Sequence, residues 1–115
     1  MADAPSGRGR RPVGPARHEV PAIDEAALVA ARNADRLLAG AREAEAARWT
    51  RFLEPLPDQL RDDDVRSLRA VAARARAAYG PKDSIRDVLA PELTEPFLDS
   101  IDRLIRELAR AAVRR

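Results

Sequence analysis

The sequence predicts an all-α protein, a small antiparallel bundle of three long helices and one short helix. Large apolar residues in the last segment recur every three or four positions, which is the period of an amphipathic helix. No segment shows the alternation of β-branched and polar residues that is typical of a strand. Prolines and glycines fall between the periodic segments, so the ends of the predicted helices are marked.

The final helix is expected to span Thr94 to Val113. Thr94 is a suitable N-cap, and Glu95 and Pro96 suit the first turn of a helix. Arginines near its end are favourable at the negative pole of the helix dipole. Its apolar face is so broad that other helices must cover it, and that face consists of Phe97, Leu98, Ile101, Leu104, Ile105 and Leu108.

The longest predicted helix begins at Asp24 and continues to about Leu53, because Pro55 prevents continuation. At about 1.5 Å per residue it would span about 45 Å, which is about 16 Å longer than the other helices. Two outcomes are open. Either the helix breaks at Gly40, where glycine permits a bend, or residues 24–39 protrude and pack on something outside the bundle.

The middle of the chain is predicted to contain the second long helix and the short one. The second long helix begins near Asp62 and ends before Gly80 and Pro81, which together are a clear stop signal. The short helix covers Ser84 to Leu89, and it starts with a serine and an aspartate at the spacing of a capping box. These segments are expected to cover the broad face of the final helix.

Residues 1–21 are predicted to form a disordered arm, and residues 22–115 the helical domain. The arm contains four prolines and three glycines without any periodicity, so it cannot offset the entropy that is lost on ordering. Four arginines against Asp3 give residues 1–18 a formal charge of +3, whereas the whole chain carries +2. All of the net positive charge therefore resides in the arm.

The arginines of the arm are candidate nucleic-acid-binding residues. The stretch from Ser6 to Pro12 resembles an AT-hook, a minor-groove element with the core Arg-Gly-Arg-Pro, although here an additional arginine precedes the proline. A segment of this kind fits the narrow and strongly negative minor groove, and its charge alone attracts phosphates. The resemblance and the charge together point to Arg8, Arg10, Arg11 and Arg17.

The sequence lacks the residue patterns of a catalytic or metal site, and we expect neither enzymatic activity nor a cofactor. It has no cysteine, and its single histidine, His18, lies in the predicted arm. Residues 62–64, three consecutive aspartates, are better explained as favourable charges at a helix N-terminus than as cation ligands. We expect a cytoplasmic protein, because the sequence contains neither a secretory signal nor an apolar run that spans a membrane. No small-molecule substrate is evident from the sequence.

These observations favour a small non-catalytic adaptor or regulatory protein that binds another protein or a second copy of itself. Trp49 and Phe52 are candidate interface residues, although an aromatic plug at the end of the bundle is the favoured explanation. The alternative function is association with nucleic acid through the basic arm. The main candidate interface, suited to a homodimer, is the small-residue face of the first helix, formed by Ala27, Ala31, Ala34 and Leu38.

Overall fold

A computed structural model describes residues 15–113 of the chain. Most of this range is helical and none of it is strand, so the predicted all-α class is confirmed. Two single turns of 3-10 helix, Arg17–Glu19 and Ile85–Asp87, precede the first and the last α-helix. In chain order, the α-helices are α1 (Pro21–Glu43), α2 (Ala47–Leu53), α3 (Leu56–Asp62), α4 (Val65–Ala77) and α5 (Pro91–Val113).

Helix α1 occupies the centre of the bundle, where it packs most extensively on α5 and also on α3. The two long helices α1 and α5 run antiparallel. Gly40, near the end of α1, lies against Leu93 at the start of α5. Near the other end of the pair, Glu25 of α1 forms a 3.3 Å ion pair with Arg103 of α5. Helix α1 therefore covers more of α5 than any other helix does.

Helix α4 packs on another side of α5 and is also antiparallel to it. Arg76, in the last turn of α4, forms a 2.9 Å ion pair with Asp102. Just beyond α4, the hydroxyl of Tyr79 donates a 2.6 Å hydrogen bond to the carbonyl of Thr94. Full burial of an aliphatic or aromatic side chain contributes roughly 1.5–3 kcal/mol. The largest side chains of this core include Leu37, Leu53, Leu56, Leu60, Leu68, Ile85, Phe97, Ile101 and Leu104.

The predicted first helix is divided, and the division lies at Glu45 rather than at Gly40. Glu45 has a φ of 56°, in the left-handed region. The amide of Glu45 donates to the carbonyl of Arg42, and the amide of Ala46 donates to the carbonyl of Ala41. These are the two hydrogen bonds of a Schellman motif, the common way to end a helix. Because glycine usually occupies the left-handed position and glutamate occupies it here, no local residue pattern indicates this helix end.

Beyond that turn, α2 and α3 fold back along α1. Ion pairs join Arg42 to Glu54 at 3.2 Å and Asp35 to Arg61 at 2.7 Å. Residues 54–61 therefore run antiparallel to α1. The segment that a continuous helix would have carried away from the bundle instead forms part of its cover.

Gly40 has a packing role inside α1. A Cβ atom at this position would overlap the Cδ1 atom of Leu93 in α5. The absence of a side chain thus allows the start of α5 to approach α1 closely, at the expense of the lower helix propensity of glycine.

We predict that the stability effect of Gly40→Ala depends on Leu93. In a Leu93→Ala background, Gly40→Ala should stabilise the fold by about 0.5–1 kcal/mol, the gain expected from helix propensity. In the wild-type background the overlap with Leu93 should reduce or reverse that gain, and urea unfolding of the four proteins measures the difference. Ala39→Gly, at an exposed position of the same helix, is the control and should destabilise both backgrounds equally. An equal effect of Gly40→Ala in both backgrounds would contradict the packing role.

Helix α4 begins three residues later than predicted. The predicted start at Asp62 falls in the last turn of α3. The N-cap of α4 is Asp64, whose carboxylate accepts a 2.7 Å hydrogen bond from the amide of Ser67. The acidic run thus spans the end of one helix and the start of the next, which explains why its first member was a misleading start signal.

Helix α5 begins earlier than predicted, at Pro91. Proline suits the first turn of a helix whether that proline is Pro91 or Pro96, and the structure uses the first of them. Thr94 is consequently buried within the helix and does not cap it. The predicted short helix is a single 3-10 turn, although its capping box between Ser84 and Asp87 is present.

The residues just before α1 are docked on the bundle by Arg17. Its Nε donates to the carboxylate of Asp24 at 2.8 Å. One of its terminal nitrogens donates to the carbonyls of Leu60 and Asp63 at 2.8 and 3.0 Å. The side chain of Arg17 is only 12% exposed. The disordered arm was predicted to extend to residue 21, but residues 15–21 are ordered because this guanidinium caps the end of α3.

We predict that Arg17→Met destabilises the fold by about 1.5–3 kcal/mol, because methionine keeps the apolar stem but leaves the two carbonyls without their charged donor. Arg36→Met is the control, since Arg36 is exposed on α1 and forms no ion pair with other described residues; it should change stability by less than about 0.5 kcal/mol. Urea unfolding measures both. Similar values for the two variants would mean that the Arg17 contacts contribute nothing.

Candidate interaction surface

The predicted interface face of α1 lies inside the fold. Helix α1 ends at Glu43, and both α5 and α3 pack against it. Of the two outcomes left open, protrusion of residues 24–39 is wrong, because the turn at Glu45 returns the chain as cover for α1. The exposed fractions of the four face residues are 0% for Ala27, 1% for Ala31, 0% for Ala34 and 7% for Leu38.

Trp49 and Phe52 lie together in α2, between α1 and α3. Trp49 is 6% exposed, and Phe52 is half-buried against the core. Their rings meet edge to face, with centroids 5.6 Å apart, and the guanidinium of Arg48 lies 4.8 Å from the centre of the Trp49 ring. Such an aromatic pair adds roughly 0.5–1.5 kcal/mol beyond the burial of its area. The arrangement resembles an aromatic plug more than an open binding surface.

The predicted nucleic-acid-binding residues are separated by the boundary of the described range. Arg8, Arg10 and Arg11 lie outside the described residues. Arg17 lies within them, and its hydrogen bonds are directed to Asp24 and to the backbone at the end of α3. Its guanidinium is therefore engaged within the chain.

The run of aspartates at residues 62–64 forms no metal site; across residues 15–113 no group of three or more potential ligands is arranged for a metal ion. The amide of Ser67 holds the pKa of Asp64 below its usual value. Burial and the neighbouring charge of Asp64 raise the pKa of Asp63. Of the three carboxylates, that of Asp64 has a defined role as the N-cap of α4.

The arginines of α4 and α5 differ in whether they have partners. Arg76 and Arg103 form ion pairs with other helices, and Arg110 pairs with Glu107 within α5. Arg74 donates to the side chain of Gln59 at 2.6 Å. The exposed arginines of these helices that form neither an ion pair nor a side-chain hydrogen bond with another described residue are Arg66, Arg69 and Arg106.

An apolar groove of about 240 Å³ runs between α4 and α5 on the outside of the bundle. It exists because three of the positions along the contact are alanines, whose side chains do not fill the space between the two helices. Ile105 is half-buried there and widens the apolar face of α5 beyond what α4 covers. In the sequence, the width of the apolar face of α5 was the only sign of this groove. The lining residues are Arg69, Ala72, Ala73, Ile105, Leu108 and Ala109.

A second cavity, of about 210 Å³, lies where the start of α1 meets the end of α5. Its lining includes Val20, Ile23 and Ala111, but also the ion-paired side chains of Glu107 and Arg110. Since its charged groups already have partners, this cavity offers less to a ligand than the groove.

A cluster around Glu95 fastens the loop before α5 to that helix. Arg86 donates to both carboxylate oxygens of Glu95, at 2.8 and 2.9 Å, and its guanidinium lies 5.4 Å from the centre of the Tyr79 ring. These bonds, with one from the hydroxyl of Thr94, lower the pKa of Glu95 to about 2. Burial raises the pKa of Tyr79. A buried tyrosine that already donates to a carbonyl is a structural group, not an acid or base.

We predict that the stability advantage of wild type over Glu95→Gln depends on pH. The pKa of Glu95 is lowered from 4.5 to about 2 on folding, so its contribution is present above pH 4.5 and is lost as the pH falls towards 2. The difference in Tm between the two proteins should be largest near about pH 6 and should shrink across that window. Glu43→Gln, which removes an exposed glutamate, controls for the loss of one charge. A constant difference would contradict the role of the ion pair.

In comparisons with known proteins, no family model, no curated protein and no solved structure matches this chain. Within residues 15–113, every helix is too short or too polar to cross a membrane.

Proposed function

We propose that the protein is a small non-catalytic interaction protein that presents the outer surface of α4 and α5 to another protein. The single observation that carries this proposal is the α4–α5 groove, which combines an apolar lining with arginines that have no ion-pair partner among the described residues. Exposed apolar surface beside unpaired charge is typical of a protein interaction site.

The partner is another protein and not a copy bound through the first helix. The small-residue face of the first helix belongs to the core, so it offers no surface to a second copy. The catalytic alternative has no support in the groove, because its lining contains one titratable side chain, that of Arg69, and no nucleophile.

Association with nucleic acid is the second candidate function. Its support is the formal charge of +3 carried by residues 1–18 and the Arg-Gly-Arg sequence at positions 8–10. Arg17 is included in that charge, but its guanidinium donates to two carbonyls at the end of α3. We therefore do not count Arg17 as a phosphate ligand. Arg8, Arg10 and Arg11 remain the residues that would bind phosphates.

Cross-linking in the native cell separates the two functions. A tagged copy of the full chain is cross-linked with formaldehyde, purified under denaturing conditions and treated with nuclease or with heat. We expect adducts of higher mass that resist nuclease and that return to the mass of the tagged chain when the formaldehyde cross-links are reversed by heat. Adducts that are removed by nuclease, and that are lost in an Arg8→Ala, Arg10→Ala and Arg11→Ala variant, would replace the first function with the second. The triple variant also tests salt dependence in vitro, where up to about three units of slope should be lost if DNA is bound.

A further inference from the structure

We propose that the α4–α5 groove binds an acidic amphipathic helix of the partner protein. This inference rests on the proposed function and adds to it the site and the chemistry of the partner. The lining, the volume of the groove and the charge around it each restrict the occupant.

The volume favours a side chain over a small-molecule ligand. Pockets for small molecules usually hold about 300–1,000 Å³ and enclose most of their ligand. This groove holds about 240 Å³ and is open to solvent. It is suited to one or two aliphatic side chains, which a helix supplies at i and i+4 when it lies in a groove.

The lining allows a helix backbone to approach closely. Ala73 of α4 and Ala109 of α5 are both exposed, on opposite sides of the groove. Short side chains at both positions leave room for a large apolar residue between the helices, as in close helix packing. Ile105 offers that residue a partly buried aliphatic contact.

The charge around the groove selects an acidic partner. Arg69 lines the groove itself. Arg106 follows Ile105 in the sequence and lies about one turn before Ala109 on α5. Neither forms an ion pair with another described residue, unlike Arg76 and Arg103 on the same two helices. Carboxylates on either side of an apolar anchor would give both guanidinium groups charge-assisted hydrogen bonds.

The same charges disfavour other occupants. A second copy related by a two-fold axis would bring Arg69 and Arg106 close to the same arginines of its partner, and like charges in an interface are unfavourable. Nucleic acid would use the two arginines but would leave the apolar lining without a contact. An acidic helix is the occupant that satisfies both the lining and the charge.

The test uses the full chain and a fluorescent helical peptide with leucines at i, i+4 and i+7, flanked by glutamates. One control peptide has the same composition with its leucines redistributed, and another has lysine in place of glutamate. Fluorescence anisotropy measures Kd at low and at physiological ionic strength. We expect the acidic amphipathic peptide to bind at least about tenfold more tightly than either control, and salt to weaken its binding.

Variants of the chain locate the binding. Arg69→Glu with Arg106→Glu should weaken binding by at least about tenfold, because attraction becomes repulsion. Arg32→Glu with Arg36→Glu is the matched control, since it makes the same change of charge at two exposed arginines of α1, and it should change Kd by less than about twofold. Ala73→Trp should also abolish binding by filling the groove without a change of charge. Circular dichroism confirms that each variant is folded.

Three results would overturn the inference. These are equal binding of the acidic and control peptides, equal loss of binding in the two charge-reversed variants, and competition for the groove by a DNA duplex. Self-association of the protein alone that Ala73→Trp abolishes, seen by sedimentation, would identify a second copy as the occupant and would also overturn it. Failure with the peptide together with nuclease-resistant protein adducts in cells would remove this site and leave the proposed function intact.

Discussion

The close packing of α1 against α5 and α3 is the constraint on which the rest of the structure depends. The chain contains 24 alanines, and the buried face of α1 is built largely from them. An alanine buries little apolar area, so such a face stabilises the fold only when its neighbours come near enough for dense contact. Gly40 extends this requirement to the end of the helix, where Leu93 occupies the space that a Cβ would fill. The alanines of the buried face are Ala26, Ala27, Ala30, Ala31, Ala34 and Ala41.

A central helix with short side chains needs its neighbours held in position, and a few polar contacts do this at the ends of the elements. Arg17 joins the chain before α1 to the end of α3, and Tyr79 joins the end of α4 to the start of α5. These contacts are largely shielded from water, so each is worth more than an exposed ion pair, which contributes about 0–1 kcal/mol. The many surface ion pairs between helices therefore add specificity of arrangement more than stability.

The composition that makes the central packing close also creates the surface that we assign to binding. Alanines at the α1 contacts are buried because two helices cover them, whereas the alanines at the α4–α5 contact have no third helix over them. The arginines follow the same division. Arg76 and Arg103 face a neighbouring helix and have carboxylate partners, whereas Arg69 and Arg106 beside the groove do not have one among the described residues. The apolar groove therefore follows from the same abundance of alanine that organises the core.

The sequence by itself determined the helical class, the broad apolar face of α5 and the capping box at Ser84, because these depend on periodicity and on residues close in the chain. It did not determine that the first helix ends at Glu45, since a glutamate in the left-handed region gives no local signal. That end decided most of what followed: it brought α3 over α1, placed the predicted interface in the core and gave Arg17 two carbonyls to cap. Burial of the alanine face and of the Arg17 guanidinium requires residues that are distant in sequence, and only the tertiary structure brings them together.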